Sequence, residues 1–283
     1  MIAGYNLPGL DAWRKIVSSI VPINDFRTQN RTRTGGYGVL PTVIESGAYT
    51  ALTSPTDEQV TYTLKDQKRG GTESLTFEMV ANDDVGAIRR IPLSLSRAAA
   101  QTLFRFVFDF IRTNPLFDPD ATAVFAAGHG NLGTAALSNS SAMAARIALR
   151  KMAAYGNASE ILGNPGRYLL VPPDLEELAF QIASSDKQIG TADNQKNIFQ
   201  GRIEPVVMDY WPDTNDWALV ADPANIPTIE VGFFEGREEP ELFVQDMPNV
   251  GSMFDADKIT YKIRHIYSGD VLDYRGMYKA VVA

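Results

Sequence analysis

Between residues 37 and 79 the chain alternates as strands do, yet it is too polar to build a core of its own, and it runs straight into the best amphipathic helix of the sequence. That order restricts the fold to one with a long extended element that takes its cover from elsewhere. Val60, Tyr62 and Leu64 alternate with Thr61 and Thr63, and Leu75, Phe77 and Met79 alternate with Thr76 and Glu78, the period-two pattern of two strands. Between them, Lys65-Asp66-Gln67-Lys68-Arg69-Gly70-Gly71 reads as a charged turn closed by a glycine pair. A hairpin of this kind is marginal in water unless its apolar face is covered. The expected cover is another copy of the chain.

A length of 283 residues with 45% hydrophobic content fills an ordinary core. No run of eighteen apolar residues and no secretory signal pattern is present, so the chain reads as soluble and cytoplasmic when made, with no membrane partner. The absence of cysteine removes disulfides, thiolate metal sites and thiol nucleophiles together. His129 and His265 are the only histidines, which leaves little for acid–base chemistry. A net charge of −8 opposes sequence-independent binding to nucleic acid. The charge is uneven: Arg14, Lys15, Arg27, Arg31 and Arg33 against Asp11 and Asp25 give residues 1–36 a net +3, leaving −11 for the rest. Such a basic arm is suited either to the acidic body of a neighbour or to plain solvation.

Trp13, Ile16, Val17 and Ile20 fall on one helical face, and Pro22 ends that short helix. Residues 25–36 show no period and few apolar side chains, so they are expected to be extended and held from outside, with Phe26 as the anchor. Ser94 or Ser96 can cap a helix to about Thr113, stopped by Asn114-Pro115, with Leu95, Ala99, Leu103, Phe106, Phe110 and Ile111 on its apolar side. Its length is roughly 27 Å. A second helix is expected from Ser141 to Tyr155, capped by Gly156, and a third follows the buried strand Tyr168-Leu169-Leu170-Val171 and Pro172-Pro173. Segments 203–210, 217–221, 228–234, 259–264 and 275–282 read as strands, so the class is mixed α+β.

Catalytic patterns are weak. Gly35-Gly36 and Gly70-Gly71 open no phosphate loop. His129, amid Gly128, Gly130 and Gly133, sits in a loop with room for a substrate, which keeps a hydrolase open, yet no G-x-S-x-G or H-E-x-x-H accompanies it. Asp83-Asp84 and Asp118-x-Asp120 can present paired carboxylates to a cation, but caps and turns use the same residues. The run Glu235, Glu238, Glu239 and Glu241 is either a solvated loop or the electrostatic counterpart of a basic arm.

In order along the chain, Phe26-Arg27-Thr28-Gln29-Asn30-Arg31, Phe77-Glu78-Met79-Val80-Ala81-Asn82-Asp83-Asp84, His129-Gly130-Asn131-Leu132, Leu170-Val171-Pro172-Pro173, Trp217-Ala218-Leu219-Val220-Ala221-Asp222-Pro223 and Asp273-Tyr274-Arg275-Gly276 form a series. The series resembles the major capsid proteins of tailed phages, specifically the Mu-like major head subunits with the Hong Kong 97-like capsid fold. The resemblance implies an N-terminal arm at 1–36 and an extended β-hairpin loop at 37–80 lying over the adjacent subunit. It implies a peripheral domain at 81–135 with a long spine helix, an axial domain at 136–245, and return strands of the peripheral domain at 246–283. It further implies a structural protein without cofactor, metal or catalytic residues. Copies of the chain would form the hexamers and pentamers of an icosahedral shell around double-stranded DNA, with a separate scaffold, a portal and decoration proteins as partners and the virion as destination.

The inter-subunit contacts implied are Phe26, Arg27, Arg31 and Arg33 on the arm, Lys65, Lys68 and Arg69 on the loop, and Glu235, Glu238, Glu239 and Glu241. In some relatives a loop Lys joins a neighbour's Asn in an isopeptide bond; Lys65 and Lys68 lie on the loop, with no Asn and catalytic Glu matched to them. If Met1 is the translated start, the scaffold is a separate protein. The same fold also serves encapsulin-like compartments, which load cargo enzymes in place of a genome.

Overall fold

The computed structural model describes residues 5, 7, 9–52, 57–82, 90–188 and 195–283. The strands of the first part are β1 (Val17–Ile23), β2 (Thr28–Thr34), β3 (Asp57–Thr63), β4 (Lys68–Thr76), β5 (Leu116–Phe117), β6 (Thr122–Ala123), β7 (Leu132–Gly133), β8 (Ala153–Ala154) and β9 (Asn157–Ile161). Those of the second are β10 (Gly166–Val171), β11 (Glu204–Val207), β12 (Trp217–Ala221), β13 (Ile229–Phe234), β14 (Glu241–Gln245), β15 (Lys258–Val271) and β16 (Met277–Ala280). The α-helices are α1 (Phe77–Ala81), α2 (Ile91–Arg112), α3 (Asn139–Lys151), α4 (Glu176–Ser184) and α5 (Ser252–Ala256).

The 14 residues of β15 organise the larger sheet. Val271 to Tyr267 pair with β13, Arg264 to Thr260 with β14, and the opposite edge pairs with the whole of β4, from Lys258↔Thr76 to Ile266↔Lys68. β1 runs parallel to β13 at the sheet's edge, where Pro22 removes no ladder donor that the core needs. A second sheet has the order β11-β10-β12-β16-β7. Its central strands are almost wholly buried, which explains the unbroken apolar runs Tyr168–Val171 and Trp217–Ala221. One face of this sheet joins α2 and the first sheet in a shared core, and the other is covered by α3 and α4.

The helix α2 begins with Pro92 in its first turn, where a missing N–H costs nothing. Ser96 lies inside the helix, its hydroxyl donating to the Pro92 carbonyl at 2.7 Å, so neither it nor Ser94 is the cap that the sequence suggests. Because α2 is wedged between two sheets, its buried arc is wide: Ala100, Leu103, Phe104, Val107, Phe108 and Ile111. Phe106 and Phe110 lie at the margin, with Phe106 edge-on to Tyr267 at 5.2 Å. Replacing Leu103 with Ala is expected to cost about 2–5 kcal/mol in urea unfolding, because the side chain is 1% exposed. Arg97→Gln, on the exposed face, should stay within about 0.5 kcal/mol of the parent.

Several elements differ from the sequence expectation. The hairpin of 60–64 with 75–79 does not form: β3 pairs with β2 and β4 pairs with β15. Its turn is Leu64 to Gln67, with Asp66 left-handed at φ 61. Gly70 lies within β4, where a Cβ would collide with the Ile263 carbonyl. Phe77 and Met79 belong to α1, capped by the Thr76 hydroxyl, and are not strand residues. At the N-terminus the helix reduces to a 3-10 turn, Ala12–Lys15, and Val17 to Ile23 become β1, since the β-branched run gains a parallel partner in β13. The helix α3 starts earlier, through a capping box at Ser138, and ends at Lys151; Gly156, at φ 71, turns the small β8–β9 hairpin. Strand β13 belongs to the first sheet and β16 to the second, so the boundary drawn at 245 is crossed in both directions.

Candidate assembly surfaces

The polar arm is held from inside the chain. Strands β2 and β3 form a two-stranded ribbon in register from Thr28↔Thr63 to Thr34↔Asp57. The ribbon is seated by buried Val60 and Tyr62, and by Asp118, which accepts from the Thr61 amide at 3.0 Å and hydroxyl at 2.6 Å. Beyond Thr34, residues 35–52 carry neither helix nor strand. This strap leaves the body past β8–β9, where Gly36 and Gly38 pass so close to Glu160 and Asn157 that a Cβ would collide with either side chain. It then presents Tyr37, Val39, Leu40, Ile44 and Tyr49 at 59–88% exposure.

A second apolar surface surrounds the opposite end of β15, near Lys258. Phe77 and Met79 of α1, Phe254 of α5, and Met247 and Val250 of the preceding turn are all more than half exposed. The Phe77 amide bonds to the Asp257 carbonyl at 2.9 Å, which holds α1 and α5 together there. Isolated exposed apolar residues are ordinary, but contiguous patches mark contact surfaces.

The sequence sends the arm arginines outward, whereas the fold spends most of them internally. Arg31 meets buried Glu230 at 2.5 Å, and Glu230 also accepts from Ser19 at 2.9 Å and from the Tyr62 hydroxyl. Burial and that carboxylate push the Tyr62 phenol above its ordinary range. Arg33 bridges Glu58 and Asp273, and Asp273 also accepts from the Arg275 amide at 2.9 Å. Phe26 stacks on Phe234 at 5.0 Å, with the Lys68 ammonium 5.8 Å from its ring. Arg69 donates to the Tyr267 carbonyl at 2.6 Å between the rings of Phe106 and Tyr267.

The acidic run is paired in the same way. Glu238 takes Arg14 at 2.5 Å, Glu235 takes Arg237 at 2.7 Å, and Glu241 takes Arg264 in a two-pronged contact at 2.6 and 2.8 Å. Among the described residues Lys65 and Glu239 have no side-chain partner, and Arg27, 89% exposed, reaches only Asp25 at 4.0 Å.

The histidine loop is structural in its geometry. His129 places Nε2 2.8 Å from Asp120 Oδ2 and Nδ1 3.1 Å from the Val124 carbonyl, and its ring stacks on Tyr274 at 3.8 Å. Both nitrogens face oxygen atoms of the chain itself. Burial acts upward on Asp120, but the Thr122 amide and His129 outweigh it and hold its carboxyl below the usual range. Asp83 and Asp84 lie outside the described residues. Among the described residues no cluster of three His, Asp or Glu is arranged to hold a metal ion. No described helix is long and apolar enough to cross a membrane.

His265, which the sequence gives no reason to single out, is buried between Tyr5, Phe233 and Tyr267, and that burial pushes its imidazole down to about 4. The unfolded chain takes up a proton near pH 6.5 and the folded chain does not, so this group's contribution is full above 6.5 and declines as pH falls toward 4. The decline amounts to about 3 kcal/mol. Asp270, raised to about 6 mainly by burial, acts oppositely: its penalty is relieved as pH falls through 6. Unfolding curves of His265→Phe against the parent isolate the histidine, and the parent alone should lose this increment of stability between pH 6.5 and 4.

A family model described as phage capsid protein matches residues 57–280. Among curated proteins, no sequence matches the chain. Solved structures are similar over nearly the full length. The capsid of an empty GTA particle superposes with a TM-score of 0.61 at 13% identity, covering 98% of this chain and 91% of that one. The capsid of Cyanophage P-SCSP1u gives 0.62 at 10% identity, covering 96% and 88%. A chain of Mycobacterium phage Ogopogo gives 0.56 at 14% identity, covering 98% and 94%.

Proposed function

The chain belongs to the phage capsid protein family, and from that membership we propose that it is the major head subunit of a tailed phage, closing into hexamers and pentamers of an icosahedral shell around double-stranded DNA. The observation that carries this reading is the pair of unpartnered apolar surfaces at opposite ends of one subunit. The strap leaves the body past β8–β9, and the second patch lies around the Lys258 end of β15. Two different surfaces that complement each other between copies make a head-to-tail contact, and such contacts close into rings when the rotation allows.

In this reading α2 and the sheet around β15 form the peripheral part and the sheet around β10 the axial part. The extended loop lying over the neighbour is the strap of residues 35–52, in place of 37–80 as a whole. Arg27, Lys65 and Glu239 are the charged candidates left for contacts between subunits. A scaffold, a portal and decoration proteins are the expected partners. The narrower resemblance to Mu-like head subunits rests on the ordered residue series alone.

Negative-stain images of purified protein, with and without scaffold, should show closed particles. A protein that stays monomeric at high concentration in both conditions contradicts the reading.

A further inference from the structure

Arg146, in the third turn of α3, is half-buried and makes no hydrogen bond or ion pair among the described residues. Arg150, one turn on, and Arg202, before β11, lie close enough to act on it electrostatically and are likewise unpaired. Burial, then Arg150, then Arg202 lower the Arg146 pKa, so the fold pays to hold these cations together. The helix dipole accounts for Arg150 and Lys151 in the last turn of α3, but it fades within that turn and leaves Arg146 unexplained.

The cluster borders a groove of about 520 Å³, lined by Arg146, Arg202 and Arg167 and by Asn225, Glu204 and Asp222. The two carboxylates are engaged elsewhere, Asp222 by Arg167 and Glu204 by Lys15 at 2.6 Å, so neither neutralises Arg146 or Arg202. Gly201 lines one wall at φ +68, a backbone conformation that favours glycine. Guanidinium groups converging on a groove, with an amide beside them, match a tetrahedral oxyanion of phosphate type.

We propose that this groove binds phosphate, supplied either by the backbone of the enclosed DNA or as free inorganic phosphate. Binding would be independent of base sequence, and it is local: the chain as a whole carries −8. The DNA source rests on the shell reading; the phosphate chemistry does not.

The test uses the full chain and the double variant Arg146→Gln/Arg202→Gln, with Arg90→Gln/Arg97→Gln, both exposed, as a control of equal charge change. One arm titrates a labelled 20-base-pair duplex at several salt concentrations, and the other follows the melting temperature against inorganic phosphate. In the duplex arm the groove variant should bind about tenfold more weakly and lose about two units of salt slope, while the control keeps the slope. Duplex binding lost only in the groove variant identifies DNA as the source; a phosphate-dependent rise in melting temperature lost only there, without duplex binding, identifies free phosphate. Equal losses in both variants, or no response in either arm, overturn the proposal. So does failure of the groove variant to form particles without nucleic acid, which would assign the arginines to a neighbour's carboxylates. Absence of particles from the parent chain refutes the shell reading and leaves the phosphate arm standing.

Discussion

Replacing residues 37–52 with a short Gly-Ser linker is expected to abolish particles while leaving the subunit's melting temperature nearly unchanged. The strap contributes no residue to the described cores, so its removal opens no cavity, and shortening a loop changes closure entropy by less than about 1 kcal/mol. Assembly depends on it differently. Each large apolar side chain among Tyr37, Val39, Leu40, Ile44 and Tyr49 is worth about 1.5–3 kcal/mol when buried on a neighbour, and that loss recurs at every contact of a closed shell. Thermal unfolding beside particle counts separates the two effects. Deleting Lys68–Thr76 should do the reverse and unfold the monomer, because β4 pairs with β15 along its whole length and buries Leu75. A strap replacement that melts like the β4 deletion would show that the strap is part of the subunit's own core.

The second large effect is expected at Glu230. Its carboxylate is 4% exposed and gathers Arg31, Ser19 and Tyr62, joining the ribbon to β1 and β13. Glu230→Ala leaves a part-buried guanidinium and a buried phenol without their acceptor and should cost about 3–5 kcal/mol in urea unfolding. Glu230→Leu combined with Arg31→Met removes both charges and should recover much of the loss. A cost below about 1 kcal/mol for the single variant would mean that the ribbon is held by Tyr62 and Val60 packing alone.

What was readable in the sequence follows from the range of the forces involved. The helix α2 and the strands β10, β12 and β13 announce themselves because burial writes a pattern into consecutive residues. The hairpin failed because alternation identifies a strand without identifying its partner: Val60 and Tyr62 pair across to Arg31 and Gln29, and Leu75 pairs with Ile259, 184 positions on. Trp13, Ile16, Val17 and Ile20 fit a helical face, and only pairing with β13 decides for β1. Strand β14 went unseen because it begins in the acidic run, at Glu241, whose charge is neutralised by Arg264 on the neighbouring strand. The arginine pairings were out of reach for the same reason, since Arg31 finds Glu230 and Arg33 finds Asp273 across most of the chain. The ordered residue series pointed to the phage capsid proteins, whose family model matches, although no one of its segments is chemically diagnostic and nothing bears on its narrower Mu-like assignment.

The length of β15 has a mechanical consequence. A 14-residue strand spans about 45 Å, and it is bonded to β4 on one side and to β13 and β14 on the other. Tension applied at its Lys258 end, where a neighbour's strap is proposed to sit, acts along the strand and therefore loads the transverse ladder bonds together in shear instead of peeling them one by one. A shell pushed outward from within would thus meet its stiffest element lengthwise, with the give confined to the unpaired strap between subunits.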